Sequence, residues 1–386
     1  MIINADLHVH GKYSMATSKN MTPKTMAHEA QKKGLDMIAT GDALHSKWLR
    51  LLEETLMPYN DTGIYTTEDT KTKFITTVEV EDNQRIHHLI IIPSIETAWQ
   101  MRDEFKAKDI DADGRPKLRM NAQEIMDITL RYDCMIGPAH IFTPWTGIYK
   151  SYDTIRECYD ARPDFVELGL SSDTYLADAI KELHDYTYLT NSDSHSPWPH
   201  RMGREFNRIE VEKLSYKSLY MAIKNNTITE NYGINPNMGK YHETGCTRCY
   251  RIYTIREAQK RNMKCTCGGR IKKGVKARID ELATPEKKSP ENRPPYRYIL
   301  PLAQLLSTLY NRGITTKYVQ TRYDTLIREH DNEIEVLINT PISQIKKDDR
   351  ELAKVIESYR TNSLEIEPGR GGQYGKVRLK KENEKD

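Results

Sequence analysis

The chain has 386 residues, about twice what one compact domain needs, so two or more folding units are expected and a single small module is excluded. Hydrophobic residues are 38% and charged residues 29%, a balance that can bury cores and is unlike a disordered chain, while no apolar run approaches the roughly 20 residues that cross a bilayer. The net charge of +3 averages over segments of opposite sign.

The opening MIINADLHVH lacks the basic and apolar regions of a secretory leader, which with the absence of a membrane span implies a cytoplasmic protein. Thr22 and Pro23 start a helix, with a hydroxyl cap and a proline at the first helical position; it runs to Lys33, and Gly34 is placed to end it. The strand DMIAT follows, and strand-like runs recur at Phe74 to Val80, Leu89 to Ile92, Asp133 to Ile136, Phe165 to Leu168 and Tyr186 to Thr190. Short β-rich runs alternating with helical stretches over residues 1–235 are the pattern of an α/β barrel. Residues 236–282 form a Tyr-, Arg- and Cys-rich unit. Residues 283–297, spaced by Pro285, Pro290, Pro294 and Pro295, read as a linker. Residues 298–379 carry helical spacing over 302–312, 317–329 and 350–359, then the glycine-rich turn EPGRGGQYG, and residues 380–386 are expected to fray.

Potential metal ligands stand at strand ends. His8 and His10 close the first strand and project to one side of it, Asp42 follows DMIAT, Glu79 ends FITTV, His140 follows DCMIGPA, and Asp193 and His195 follow the strand ending at Thr190. In a βα barrel the carboxyl ends of the strands meet at one face, so these side chains converge there and make a metal site. His87 and His88 precede their apolar run; of the two, His88 is expected to turn inward. His28, His184 and His242 are read as structural.

Of six cysteines, Cys134 and Cys158 stand apart as ordinary buried thiols, whereas Cys246 and Cys249 form a CxxC pair and, after fifteen intervening residues, Cys265 and Cys267 a CxC pair. This is zinc-ribbon spacing, and four thiolates give a closed site for one structural zinc. From Cys246 to Arg278 eleven Lys or Arg stand against one acid, Glu257, so this window carries +10 and leaves −7 for the rest of the chain. Such an excess is the footprint of a polyanion partner, with nucleic acid foremost. The ribbon's Arg248, Arg251, Lys272 and Lys273 are candidate phosphate contacts, and Arg370 and Tyr374 of the glycine-rich turn are candidates to meet a base.

DLHVH, GD at 41–42, VEVE around Glu79, PAH ending at His140 and DSH at 193–195 resemble the successive motifs of the polymerase-and-histidinol-phosphatase (PHP) superfamily. The longer stretches YSMATSKNM, GPAHIFTPW, ELGLSSD and NSDSHSPWPHRMGREFNRI are similar to the endonuclease Q family within it. The resemblance spans the whole chain. It implies a distorted (β/α)7 barrel followed by a zinc ribbon and a small, mostly helical carboxyl-terminal domain. It also implies up to three divalent ions in the barrel, zinc, magnesium or manganese. Residue by residue it places His8, His10, Glu79 and Asp193 around one ion, with Glu79 bridging to a second held by His140 and His88, and a third using His195. Asp193, Glu79 and His140 are the implied catalytic centre. Where the superfamily has a TDH triplet this chain has Gly41, Asp42 and Ala43, and His45 is expected to replace the missing histidine. Lys19 and Trp145, in two of the matching stretches, are further expected DNA contacts.

The implied activity is DNA repair: hydrolysis of the phosphodiester 5′ to deoxyuridine, hypoxanthine, xanthine or an abasic site in double-stranded DNA. The family's clamp-binding peptide is not evident, so a sliding clamp is only a possible partner. A phosphatase of small phosphomonoesters is the alternative enzyme, against which the basic ribbon argues. A non-catalytic zinc-ribbon DNA-binding protein is the other alternative, against which the retained ligand set argues.

Overall fold

The structure, a computed structural model, describes residues 1–284, 289–363 and 365–378, so the expected frayed tail lies outside the described residues. Nine short strands ring the first unit. Ile2–Asp6 pairs in parallel with Met37–Ala39, which pairs in parallel with Lys73–Glu81; His87–Ile92 and then Met135–Pro138 continue antiparallel. On the other side Ile2–Asp6 pairs antiparallel with Phe206–Glu210, and that strand with Ile228–Gly233. The parallel pair Phe165–Glu167 and Thr187–Leu189 closes the ring. One seam is made by Asp164 N on Ile136 O at 2.9 Å, the other by Asn231 Nδ2 on Tyr188 O at 3.1 Å. The mixture of parallel and antiparallel neighbours is the distortion of this α/β barrel.

Alternate residues of these strands point inward and pack on one another: Ile3, Ala5, Leu7, Met37, Ile75, Leu89, Ile91, Met135, Phe165, Leu189 and Ile209. The opposite faces pack under the surrounding helices in a second core. The first helix, Pro23–Lys33, has the expected ends: Thr22 accepts from Thr25 N, and Gly34 sits at φ 93°, a left-handed conformation that glycine adopts without strain.

Beyond the barrel, Gly245–Cys246 and Ile271–Lys272 form the small antiparallel ribbon around the cysteines. Residues 289–297, expected to link, are instead latched to the barrel. The guanidinium of Arg293 bonds Asp178 Oδ1 (3.0 Å) and the carbonyls of Tyr186 and Leu183 while lying over the Tyr188 ring, and Tyr296–Tyr298 adds in parallel to Ile228–Gly233. Proline spacing sets the extended backbone, but one arginine finding a carboxylate and several carbonyls decides that it docks.

Helices Leu302–Leu309, Lys317–His330, Ile342–Asp348 and Arg350–Arg360 form the mostly helical carboxyl-terminal unit. It is pinned to the barrel by a buried ion pair, Lys33 Nζ to Glu333 Oε1 at 2.6 Å. The glycine-rich turn that follows packs on the ribbon instead of these helices: Gly369 N bonds Asn237 O (2.7 Å) and Glu243 N bonds Gly369 O (3.1 Å). Among the described residues no helix is long and apolar enough to cross a membrane.

Candidate active site

At one end of the barrel, where most strands finish and the antiparallel strand His87–Ile92 begins, one ring nitrogen each of His8 and His10 and one oxygen each of Glu79 and Asp193 lie within 4.8 Å of one another, and Glu79, His87 and His140 form a second such group. Glu79 belongs to both, which suits a bridging ligand. The sharp reversals after the strands aim several of these side chains. Asp42 (φ 54°), His140 (φ 31°) and Asp193 (φ 46°) all hold left-handed backbone, a strain characteristic of functional sites. Asp193 is held there by its neighbour Ser192, whose N–H donates to Asp6 Oδ1 at 3.0 Å and whose carbonyl accepts from Nε and Nη2 of Arg204 at 3.1 and 3.0 Å.

Each central histidine is oriented from behind. His8 Nδ1 is 3.0 Å from both oxygens of Glu167, while its Nε2, wholly buried, has no hydrogen-bond partner and faces Glu79 and Asp193 at 3.7 Å each. His10 Nδ1 is 2.9 Å from Asp42 Oδ1, leaving Nε2 on Asp193 and Glu79 at 3.1 and 3.3 Å. A carboxylate behind an imidazole fixes its tautomer and presents the other nitrogen to a cation. The orphaned Nε2 of His8 and the imidazole–carboxylate donor set therefore fit divalent metal.

The electrostatics agree. Burial alone would lower the pKa of His8, but the carboxylates of Glu167, Glu79 and Asp193 outweigh it and push it up to about 9. Burial likewise opposes ionisation of Glu79 and Asp193, yet the facing histidines hold both well below the usual carboxylate range. Protons on the imidazoles thus supply the positive charge that a metal supplies when bound.

Several expected residues are placed differently. His88 turns outward: it pairs with Val80, whereas His87 pairs with Glu81 on the face that also carries Glu79, so strand alternation gives His87 the inward place. His87 Nδ1 lies 2.8 Å from Glu79 Oε1 and Nε2 3.2 Å from Glu81, whereas His88 contacts the Tyr159 hydroxyl and, at 3.2 Å, Asp82. Asp42 stands behind His10, with Gly11 N donating to its other oxygen. His45 falls outside both groups, its ring stacked on Tyr13 with centroids 4.8 Å apart. His195 also falls outside them, at the rim, its ring 4.4 Å from that of His10. Glu167 and Arg115 (Nη1 to Glu79 Oε2, 3.1 Å) reach the site unforeseen. Glu167 closes its strand and obeys the strand-end rule that singled out the others, whereas Arg115 comes from a loop that carries no such signal.

The four cysteine sulfurs are also brought together within 4.8 Å, with Cys246–Cys267 and Cys249–Cys265 separations of 3.5 Å. The hydroxyl of Tyr253, 3.0 Å from Cys265 Sγ, draws that thiol's pKa down to about 5, a thiolate suited to zinc. Around this knot Arg248 reaches Cys267 O (3.0 Å) and Lys273 pairs with Glu281, while Arg251 and Lys19 are exposed. Lys272 Nζ lies 3.4 Å from the ring centroid of the half-exposed Trp145. Arg370 bonds Glu367 and Pro368 O of its own turn and Tyr250 O of the ribbon. Tyr374 is 60% exposed with Lys240 Nζ over its ring.

Comparison with known proteins places this arrangement. Residues 301–363 match the family model of the MJ0043 C-terminal domain. The uncharacterized protein MJ0043 of Methanocaldococcus jannaschii is 46% identical over 256 residues, 64% of this chain and 33% of that protein, so the chain spans about a third of that relative's length. The crystal structure of the lesion-specific endonuclease PfuEndoQ from Pyrococcus furiosus is 44% identical with a TM-score of 0.94, over 98% of this chain and 96% of that one. A structure of endonuclease Q with a 27-mer duplex substrate carrying an abasic lesion at the active site is likewise 44% identical with a TM-score of 0.94, over 99% and 98% of the two chains.

Proposed function

The chain belongs to the endonuclease Q family, and on that premise we propose that it is a metal-dependent endodeoxyribonuclease of DNA repair. It hydrolyses the phosphodiester on the 5′ side of deoxyuridine, hypoxanthine, xanthine and abasic sites in duplex DNA, leaving 3′-hydroxyl and 5′-phosphate ends. The observation that carries this reading is the pair of buried histidine–carboxylate groups sharing Glu79, in a chain that matches a lesion-specific endonuclease along almost its whole length.

In this reading His8, His10, Glu79 and Asp193 hold one divalent ion and Glu79, His87 and His140 a second. Such ions, when bound, acidify a water and neutralise the phosphoryl oxygens. Glu167 and Asp42 hold the imidazoles of His8 and His10 in place, and Arg204 and Asp6 fix the turn that aims Asp193. The four cysteines hold one structural zinc. The basic ribbon and the Trp145–Lys272 pair lie along the phosphate backbone, and neither can tell uracil from cytosine, so the base is read by groups that meet it directly. Flipping exposes the pairing edge on which those bases differ, and Tyr374 with Lys240 is the stacking surface beside the site.

The test is a nicking assay on end-labelled duplexes with and without one deoxyuridine, beside a generic phosphomonoester. The parent protein is expected to nick only the lesion strand, and Asp193→Ala to abolish nicking while a gel shift persists. Turnover of the phosphomonoester alone would instead establish a small-substrate phosphatase.

A further inference from the structure

The loop that carries Arg115 is stitched down on both sides. Asp111 accepts from Ser46 N (2.7 Å) and Ser46 Oγ (2.8 Å), and Asp113 Oδ1 accepts from Met15 N (3.1 Å) and Arg115 N (3.2 Å). Gly114 N donates to Tyr13 O at 3.3 Å, and Pro116 O accepts from Glu81 N at 3.0 Å. Gly114 is required by close approach, since a Cβ there would stand 2.3 Å from Asp42 Oδ2. The loop is therefore a strap between the turn after the first strand and the end of Lys73–Glu81, pressed against the carboxylate that orients His10.

What the strap delivers is one guanidinium, its side chain only 19% exposed. Nη1 bonds Glu79 Oε2 at 3.1 Å, and among the described residues this is the side chain's only hydrogen bond; Nε is buried with no partner. An unpaired buried N–H costs about 1–3 kcal/mol, and Arg102 and Arg322 share that feature with Arg115, but their guanidiniums pair with Asp111 and Asp349, which belong to neither ligand group. What sets Arg115 apart is where its open donors stand, on the one carboxylate shared by the two ligand groups. Glu79 is the carboxylate common to both ligand groups, so a group seated between them lies within reach of the same guanidinium. A planar fork of N–H donors matches the oxygens of a phosphoryl group, and its charge does not titrate.

We propose that Arg115 is a catalytic residue that grips a non-bridging oxygen of the scissile phosphodiester and neutralises its charge as a water oxygen bonds to phosphorus and the bond to the 3′-oxygen breaks, the 3′-oxygen leaving as a hydroxyl with a proton from that water. This rests on the nuclease reading above and names a contact within that site.

The experiment compares parent, Arg115→Ala and Arg115→Lys as full-length, metal-loaded protein on two substrates, the deoxyuridine duplex and bis(p-nitrophenyl) phosphate, which has no lesion. Arg115→Ala should lower kcat on both by on the order of 100-fold, with Arg115→Lys intermediate and with metal content and duplex affinity little changed. A phosphorothioate at the scissile position adds a readout that a merely structural role would not move. Sulfur replacing the gripped oxygen should slow the parent in one diastereomer and add little to the loss in Arg115→Ala. If the variants turn over both substrates at the parent rate, lose metal along with activity, or show thio effects that simply add in both diastereomers, the proposal is overturned. If the parent hydrolyses the diester in an Arg115-dependent way but ignores the lesion, Arg115 stands and the lesion reading falls.

Discussion

Glu167→Gln tests whether the site is built by its supporting carboxylates. Glu167 accepts from His8 Nδ1 at 3.0 Å, from Asn191 Nδ2 at 2.7 Å and from His140 N at 2.9 Å. A glutamine of the same shape offers one acceptor oxygen and one donor NH2, so at least one of these donors faces another donor. That mismatch should cost about 1–3 kcal/mol of folding stability. Loss of the carboxylate behind His8 should weaken metal binding by about 10–100-fold, equal to about 1.4–2.7 kcal/mol. The effect depends on pH in a calculable direction. His8 titrates at about 9 in the parent, so below that pH an ion must displace a proton to bind, and the parent's affinity rises as pH rises towards 9. Without the Glu167 charge the proton is held less tightly and the variant's affinity changes less over the same interval. Parent and variant should therefore differ most near pH 9 and less at pH 7. The assay is competitive metal titration of the apo-protein with a chromophoric chelator at both pH values, beside a thermal melt. Equal affinities at both pH values, or a parent affinity that is flat from pH 7 to 9, would refute the orientation argument.

His87→Ala should remove about one equivalent of barrel metal and most incision, whereas His88→Ala should lower the melting temperature and leave metal content intact; metal analysis of the two purified variants separates them. Replacing Cys246 and Cys249 with serine should release about one zinc per chain and weaken duplex binding in a gel shift, because the ribbon loses the metal that folds it. Lys33→Met leaves Glu333 buried against Leu302 N and the Tyr323 hydroxyl without its cation, and should destabilise the chain by about 3–5 kcal/mol in denaturant unfolding. Pairing it with Glu333→Leu should recover much of that loss, and no recovery would mean that the contact matters for packing alone.

The barrel was legible because its signal is local: each strand is a short apolar run, and each candidate ligand is a polar residue near or just beyond its end. His8, His10, Glu79, His140 and Asp193 needed only that rule, and Glu167 satisfies it equally. The choice between His87 and His88 was not legible, since both lie before the apolar run and a shift of one residue reverses the face. Only the pairing of His87 with Glu81 fixes it. Asp42 and His45 show a different limit. Both follow a strand as the rule requires, but the left-handed turn at Asp42 aims its carboxylate at the back of His10, and His45 begins the helix Ser46–Thr55 with its ring on Tyr13.

Arg115 and Arg293 show why loops resist such reading. Each lies in a stretch rich in proline, glycine or acids that reads as a connector, yet each is placed by hydrogen bonds to residues far off in sequence. Arg293 spends its donors on Asp178 and several carbonyls and thereby closes a structural account. Arg115 makes a single bond, to the carboxylate shared by both ligand groups, and leaves a buried N–H open. Open donors alone do not single out Arg115, since Arg102 and Arg322 also keep a buried Nε unpaired; its place on Glu79, the carboxylate common to both ligand groups, does.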